Sequence, residues 1–534
     1  MSSRMLVISF LLVQLIVSVF VVSKHNIYDD EYTSLSYVEK PVGAIVRQAN
    51  SGDVHPPGMY LLTHFAYRII PSARWMVLLT LLLWDSGLAV YLWKVTPLLP
   101  STVSRIAFLL FATVHPQLLM WGLTTRWYGY WTGPALVLVV LALCPDSTDL
   151  RPRLSNLRAG LLGLGLALLF YINYITVVFT AALMATMVFR YGIRVWRQYA
   201  LTTLVGGLLI FPQLSTMITV HMANGGGQRA SSTVSLARMT EGIVTSEAFL
   251  PWHPLAILAL LAGFVVIVRA AIWGVKFSSN LDGHECLVTH GELSAICIFA
   301  ALLFLTESVL GFGIKPRNGM ILIPLIAVPL SLVLEGFKQR WIQLTLLTIW
   351  AAWIAVGFLH LIERRGLAKA SMLNRPEEVL RLIETRARAS RCTVLVTYDQ
   401  MLSYSAAISH TDELLLISPW PNPTPVLLPT FRLKDCATLK VYAVETATGG
   451  LGATGEKMRQ EVANLRARIT VSPRLYRLNQ DPDVTVKRRM RFLGPDVQHL
   501  PEYRYVVNEY DISSDQLGEL EENLDKFEPI NEMR

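Results

Sequence analysis

Apolar stretches of roughly 20 residues, each long enough to cross a bilayer core about 30 Å thick as a helix, recur from residue 5 to residue 361 and then stop. Few folds are open to such a chain, because backbone polar groups within lipid must be satisfied inside each helix. With 53% hydrophobic and only 16% charged residues, and a mean hydropathy of +0.43, it lacks the polar side chains to cover a soluble surface. The expected architecture is a polytopic α-helical membrane protein with about eleven transmembrane helices, followed by a C-terminal extracytoplasmic α/β domain. The membrane domain is placed at 1–363, with its first outer loop at 24–74, and the second domain at 364–534.

The net charge of +8 sits in short clusters between apolar runs, not in a continuous stripe, which excludes a nucleic-acid partner and fits the positive-inside rule. The first span, from Met5 to Val22, follows Arg4 and reads as a retained anchor starting in the cytoplasm. The second runs from Trp75 to Trp93 and the third on to Leu123, with Lys94 and Arg105 in the turn between them. Arg151, Arg153 and Arg158, and later Arg190, Arg194 and Arg197, mark further cytoplasmic loops. Threading onward puts the loops at 24–74, 124–129, 172–174, 221–253 and 311–318 on one outer side.

Those loops hold the residues that need explaining. Asp29, Asp30 and Glu31 crowd three carboxyl groups directly after a hydrophobic span, although acids also favour the first turn of any helix. Asp53 and His55 precede Pro56 and Pro57, which can start a helix but rarely continue one. The stretch from Pro57 to Ile70 is too short to cross and reads as an interfacial helix. Arg126, Trp127 and Tyr128 place a cation among belt aromatics, where it can snorkel or contact phosphate. Lys315 and Arg317 stand on a short outer loop against the positive-inside trend, which points to an anionic ligand such as a phosphodiester or pyrophosphate headgroup.

In their order and common side, these segments resemble the GT-C superfamily of membrane glycosyltransferases. The resemblance is to the glycosyltransferase family 39-like group that includes protein O-mannosyltransferases and aminoarabinose transferases, and it covers residues 1–361. Asp30-Glu31 matches the family's acidic pair, Asp53 to Pro57 a D-x-HPP-like segment, Arg126 to Tyr128 an R-x-Y element, and Arg317 to Pro324 the late basic segment. The chain departs from the pattern after Arg317, where Asn318 and Gly319 replace the family's usual tyrosine. The resemblance implies a GT-C-like fold, a polyprenyl-phosphate-linked sugar as donor, and a glycan, lipid or protein acceptor at the outer face. Asp30 would be the base, with Asp29 its rival and Glu31 orienting it. Lys315, Arg317, Arg126 and His55 would hold donor phosphate, and Asp53 and Tyr128 substrate.

No cofactor is expected: the four acids can in principle share a divalent ion, but the resemblance implies a metal-independent reaction. The D-x-HPP form resembles bacterial members, so the expected site is a bacterial plasma membrane with the active site extracytoplasmic; the endoplasmic reticulum membrane is the alternative. A transporter or flippase of lipid-linked sugars would place polar residues near mid-span, where Asp85 and Glu307 are the main examples. A non-catalytic membrane subunit would be indifferent to Asp30→Asn.

The tail alternates periodicities. Pro376 to Arg388 is amphipathic, whereas Thr393 to Thr397, Leu414 to Ser418, Leu439 to Val444 and Tyr503 to Val507 read as strands. The glycine runs at 225–227 and 449–452 lack the strand and helix flanks of a phosphate loop. Cys392 and Cys436, the two cysteines of the tail, can pair or remain buried thiols.

Overall fold

The computed structural model describes residues 2–24, 31, 34–35, 37–38, 40–52, 55–72, 75–143, 154–224, 258, 261–262, 316–363, 376–387, 392–397, 402, 414–417, 438–446, 460, 463, 472–480, 485–491, 494–499 and 503–513. The chain divides into two compact units. One comprises Met1–His25, Pro41–Leu367 and Arg489–Pro495; the other comprises Asn26–Lys40, Ala368–Arg488 and Asp496–Arg534.

Apart from 489–495, the described part of the first unit is helical. Its elements are α1 (Ser3–Lys24), α2 (Val42–Gly52), α3 (Pro57–Ile69), α4 (Val77–Val95), α5 (Thr102–Val114), α6 (Pro116–Gly122) and α7 (Trp127–Leu143). They continue with α8 (Asn156–Ile172), α9 (Thr176–Tyr191), α10 (Trp196–Asn224), α11 (Leu322–Glu335) and α12 (Arg340–Glu363). Among the described residues, Ser3–Ser23, Val77–Leu98, Thr102–Gly122, Trp196–Thr219 and Arg340–Leu359 are long and apolar enough to cross a membrane. Four shorter apolar helices accompany them. This is the make-up of a multi-pass helical membrane protein. Two of the expected spans, between 254 and 310, lie outside the described residues apart from 258, 261 and 262.

Close packing of α4 on α7 rests on small residues. Gly129 and Gly133 share one face of α7; a Cβ on Gly133 would lie 2.6 Å from the Leu83 carbonyl oxygen, and one on Gly87 would collide with the Gly133 carbonyl. Within lipid such backbone contact replaces the hydrophobic effect as the source of helix adhesion. Asp85, singled out as a mid-span acid, accepts a hydrogen bond at Oδ1 from Gln14 Nε2 at 2.7 Å, tying α4 to α1.

The third apolar run has the length of a span, Thr102–Gly122, as expected, but is divided into two helices. Pro116 has no N–H and its ring clashes with the turn before it, so the run breaks at His115 into α5 and α6. His115 Nδ1 accepts from the Gln117 N–H at 3.1 Å and caps the new start. The fourth span begins at Trp127 rather than Tyr130, because Trp127, Tyr128 and Trp131 are all buried against neighbouring rings. Tyr128 therefore lies in a helix, not in a loop.

The second unit contains α13 (Pro376–Ala387) and the strands β1 (Thr393–Thr397), β2 (Leu414–Ile417), β3 (Thr438–Thr446), β4 (Arg474–Gln480) and β7 (Tyr503–Ser513), while β5 (Thr485–Arg491) and β6 (Gly494–His499) are each divided between the units at 489–495. Five strands form a mixed sheet in the order β2-β1-β3-β7-β4, while β5 and β6 pair separately. β1 runs parallel to β2 and β3, and β7 antiparallel to β3 and β4. Val379 and Ile383 of α13 bury against Leu395, Val444 and Val507 of the sheet. The four strands read from the sequence are all present. β4 escaped notice because Arg474, Arg477 and Gln480 dilute its apolar signal, as suits an edge strand. Cys392 is disulfide-bonded, whereas Cys436, the other cysteine of the tail, lies outside the described residues.

Candidate functional site

Four of the nine sequence-derived site residues come together in the helical unit: His55, Arg126, Tyr128 and Arg317. Each is placed by the start of a helix. Pro56 and Pro57 open α3 and hold His55 just before it. Arg126 immediately precedes α7, and Tyr128 stands in that helix's first turn. Arg317 lies on a single 3-10 turn, Pro316–Gly319, that leads into α11.

Both arginines are withdrawn from solvent, Arg126 being 6% and Arg317 7% exposed. Arg126 Nη2 donates to His55 Nε2 at 2.8 Å. Because a guanidinium can only donate, Nε2 must offer its lone pair, and a neutral imidazole then carries its proton on Nδ1. Arg317 lies over two rings, with its central carbon 4.9 Å from the Trp121 centroid and 5.7 Å from that of Tyr128. Those rings meet edge to face at 5.7 Å, forming two walls against which the planar guanidinium stacks. The site thus has two forked cations at the N-terminal end of α7, where the helix dipole adds partial positive charge. Such an arrangement suits phosphate oxygens, which accept two parallel N–H bonds from one arginine.

Three residues that sequence reasoning passed over complete this corner. Asn173, between α8 and α9, brings its Nδ2 to 3.4 Å from His55 Nδ1, while its Oδ1 accepts from the Ile175 N–H at 2.8 Å. Gln213 of α10 donates from Nε2 to Asn50 Oδ1 at 2.7 Å and to the Tyr174 hydroxyl at 3.0 Å. Trp121, at the end of α6, supplies the nearer wall for Arg317. The available signal was a polar residue within or ending an apolar run on the side already assigned to the site.

Glu31 is fully buried and belongs, with the segment Asn26–Lys40, to the second unit. In that segment Lys40 Nζ sits 4.9 Å above the Tyr37 ring. Burial lowers its pKa from 10.5 to about 8. Asp29, Asp30, Asp53 and Lys315 lie outside the described residues. Among the described residues no group of three or more His, Cys, Asp or Glu side chains is arranged to hold a metal ion.

No family model matches the chain, and no curated protein does. Its fold does match solved structures. The crystal structure of ArnT from Cupriavidus metallidurans bound to undecaprenyl phosphate aligns with a TM-score of 0.54 at 11% sequence identity, over 95% of this chain and 98% of that one. The apo-state structure of the same ArnT aligns equally, with a TM-score of 0.54. ArnT is a GT-C glycosyltransferase, an aminoarabinose transferase. The chain thus shares the architecture of ArnT, a multi-pass helical membrane fold of the kind expected. At 11% identity the likeness speaks for the architecture alone.

Proposed function

We propose that this protein is a membrane glycosyltransferase that moves a sugar from a polyprenyl-phosphate donor to an acceptor at the outer face of the membrane. The observation that carries the reading is the pair of buried arginines at the start of α7, Arg126 held by a neutral imidazole and Arg317 by two aromatic walls. It is supported by the shared fold of an ArnT captured with undecaprenyl phosphate.

In this reading the leaving lipid phosphate gains negative charge as the glycosidic C–O bond breaks. Arg126 and Arg317 offset that charge from fixed positions, with Lys315 adding a third cation from the same loop as Arg317. Asp30 takes the acceptor hydroxyl's proton as the new bond forms, with Asp29 the rival base and Glu31 the orienting acid. Base and leaving phosphate lie on opposite faces of the sugar, so a single displacement inverts the anomeric carbon. Asp53 and Tyr128 contact the substrate. No cofactor takes part, and the working compartment is a bacterial plasma membrane with the second domain extracytoplasmic.

Purified protein given a panel of polyprenyl-phosphate sugars and a membrane extract tests this directly. Asp30→Asn, or Asp29→Asn if that residue is the base, should lower transfer by about 10²- to 10⁴-fold. Equal transfer by wild type and both variants would remove the carboxylate from the mechanism.

A further inference from the structure

Two ties converge on the corner between α2 and α3 that presents His55. The first is backbone packing: Gly58, in the first turn of α3, lies so close to the Tyr171 backbone at the end of α8 that a Cβ there would be 2.7 Å from the Tyr171 carbonyl carbon. The second is Gln213, whose single amide nitrogen uses one N–H on Asn50 of α2 and the other on the Tyr174 hydroxyl.

Gln213 is unusual in its place. It stands in an apolar helix, 5% exposed, directly after Pro212. A proline inside a helix removes one N–H from the ladder and loosens the turn before it. Here that turn is fastened from outside, because the Tyr171 hydroxyl donates to the Leu209 carbonyl at 3.0 Å. The turn of α10 before Pro212 is thus bonded to α8, and the Gln213 side chain reaches both α2 and the α8–α9 turn. A buried amide in a membrane helix is kept where its hydrogen bonds join elements that packing alone would leave free to slide.

We propose that Gln213 is a positioning residue for the phosphate-binding arginine. By gripping Asn50 and Tyr174 together, it sets the distance between the α2–α3 corner and the α8–α9 turn, and so the direction in which His55 Nε2 meets Arg126. Arg126 has several rotatable bonds, and the imidazole restricts the rotamers it uses and so the direction in which its guanidinium faces the donor phosphate. Without the Gln213 grip, His55 shifts and Arg126 samples rotamers that bind phosphate less well. This inference rests on the donor-phosphate reading of the site.

The test measures the affinity of purified full-length protein for undecaprenyl phosphate, together with thermal stability, in wild type, Arg126→Ala, His55→Ala, Gln213→Leu and the double variant His55→Ala/Gln213→Leu. Wild type should bind, and Arg126→Ala should bind much more weakly; if these two bind alike, the phosphate reading itself fails. Given that difference, Gln213→Leu should weaken binding about five- to tenfold. The double variant should then bind no worse than His55→Ala alone, because Gln213 acts through His55. Unchanged affinity in Gln213→Leu overturns the proposal. So does a double variant whose losses multiply, since a generally loosened fold weakens binding whether or not His55 is present. Should Gln213→Leu fail to fold, Gln213→Glu serves in its place: it keeps the shape but loses the donor, and the same two criteria apply.

Discussion

Arg126 and Arg317 in the helical unit and Lys440 and Glu509 in the sheet unit are all charges withdrawn from water, yet their surroundings differ in kind. Lys440 Nζ lies 3.1 Å from Glu509 Oε1 and 3.4 Å from Asp511 Oδ1, so opposite charges offset one another across β3 and β7. Arg126 instead donates to an imidazole, and Arg317 stacks on two rings. A pair such as Lys440 and Glu509 serves the fold. Arginines oriented by an imidazole and by aromatic rings hold their planar forks in a fixed direction, as recognition of a phosphate requires.

The contrast can be broken by experiment, beginning with activity. Arg317→Ala should lower sugar transfer by about 10²- to 10³-fold, since it removes charge stabilisation from the leaving group. Thermal unfolding of the protein should hardly move. Arg317→Lys should recover only part of the loss, because an ammonium keeps the charge but not the planar fork or the ring stacking. A variant that melts early but transfers normally would make Arg317 a structural cation and erase the distinction.

Lys440→Met should do the reverse. It leaves Glu509 buried without its cation and should destabilise the sheet unit by about 3 kcal/mol, the low end for a broken pair because Lys440 keeps 20% exposure. Transfer measured below the melting temperature should stay within about twofold, within the error expected for a site remote in function. Next in size is the disulfide at Cys392. Cys392→Ser should cost about 2 kcal/mol, read as a lower melting temperature that reductant does not lower further. An unchanged melting temperature would mean that the bond does not constrain the unfolded chain.

The smallest effect concerns Lys40, which is held over Tyr37 with a pKa lowered to about 8. The unfolded chain binds this proton up to about pH 10.5, whereas the folded chain releases it from about pH 8. The unfolded state therefore holds more protons across that window, and Lys40's contribution to stability rises with pH through it. Reductive methylation with a carbon-13 label should show one lysine titrating near pH 8 that disappears in Lys40→Arg. A full set of lysines titrating at the ordinary value would contradict the buried placement.

Much of the fold was legible because its signals are local. A run of apolar residues becomes a membrane helix whatever it later packs against, and short apolar, β-branched runs at Thr393–Thr397 and 439–444 mark strands in the same way. His55, Arg126, Tyr128 and Arg317 stood out as polar or aromatic residues at the ends of such runs. Less legible were the places where one local signal overrode another. Pro116 splits an apolar run that hydropathy reads as continuous, and Trp127 and Tyr128 extend a helix into what polarity reads as loop.

Asn50 and Gln213 were legible only as polar residues in or beside apolar runs. Each is an uncharged amide, and its meaning lies in the other, 163 residues away. Sequence by itself determined that this chain would be a multi-pass helical membrane protein with a helix and strands beyond its last span, because both follow from hydropathy along the chain. Only the tertiary structure decided that Arg126 would meet His55 and that Arg317 would lie between Trp121 and Tyr128. Those partners come from helices far apart in sequence, and helix packing in lipid is set by small residues and buried hydrogen bonds, which leave no period in the sequence to read.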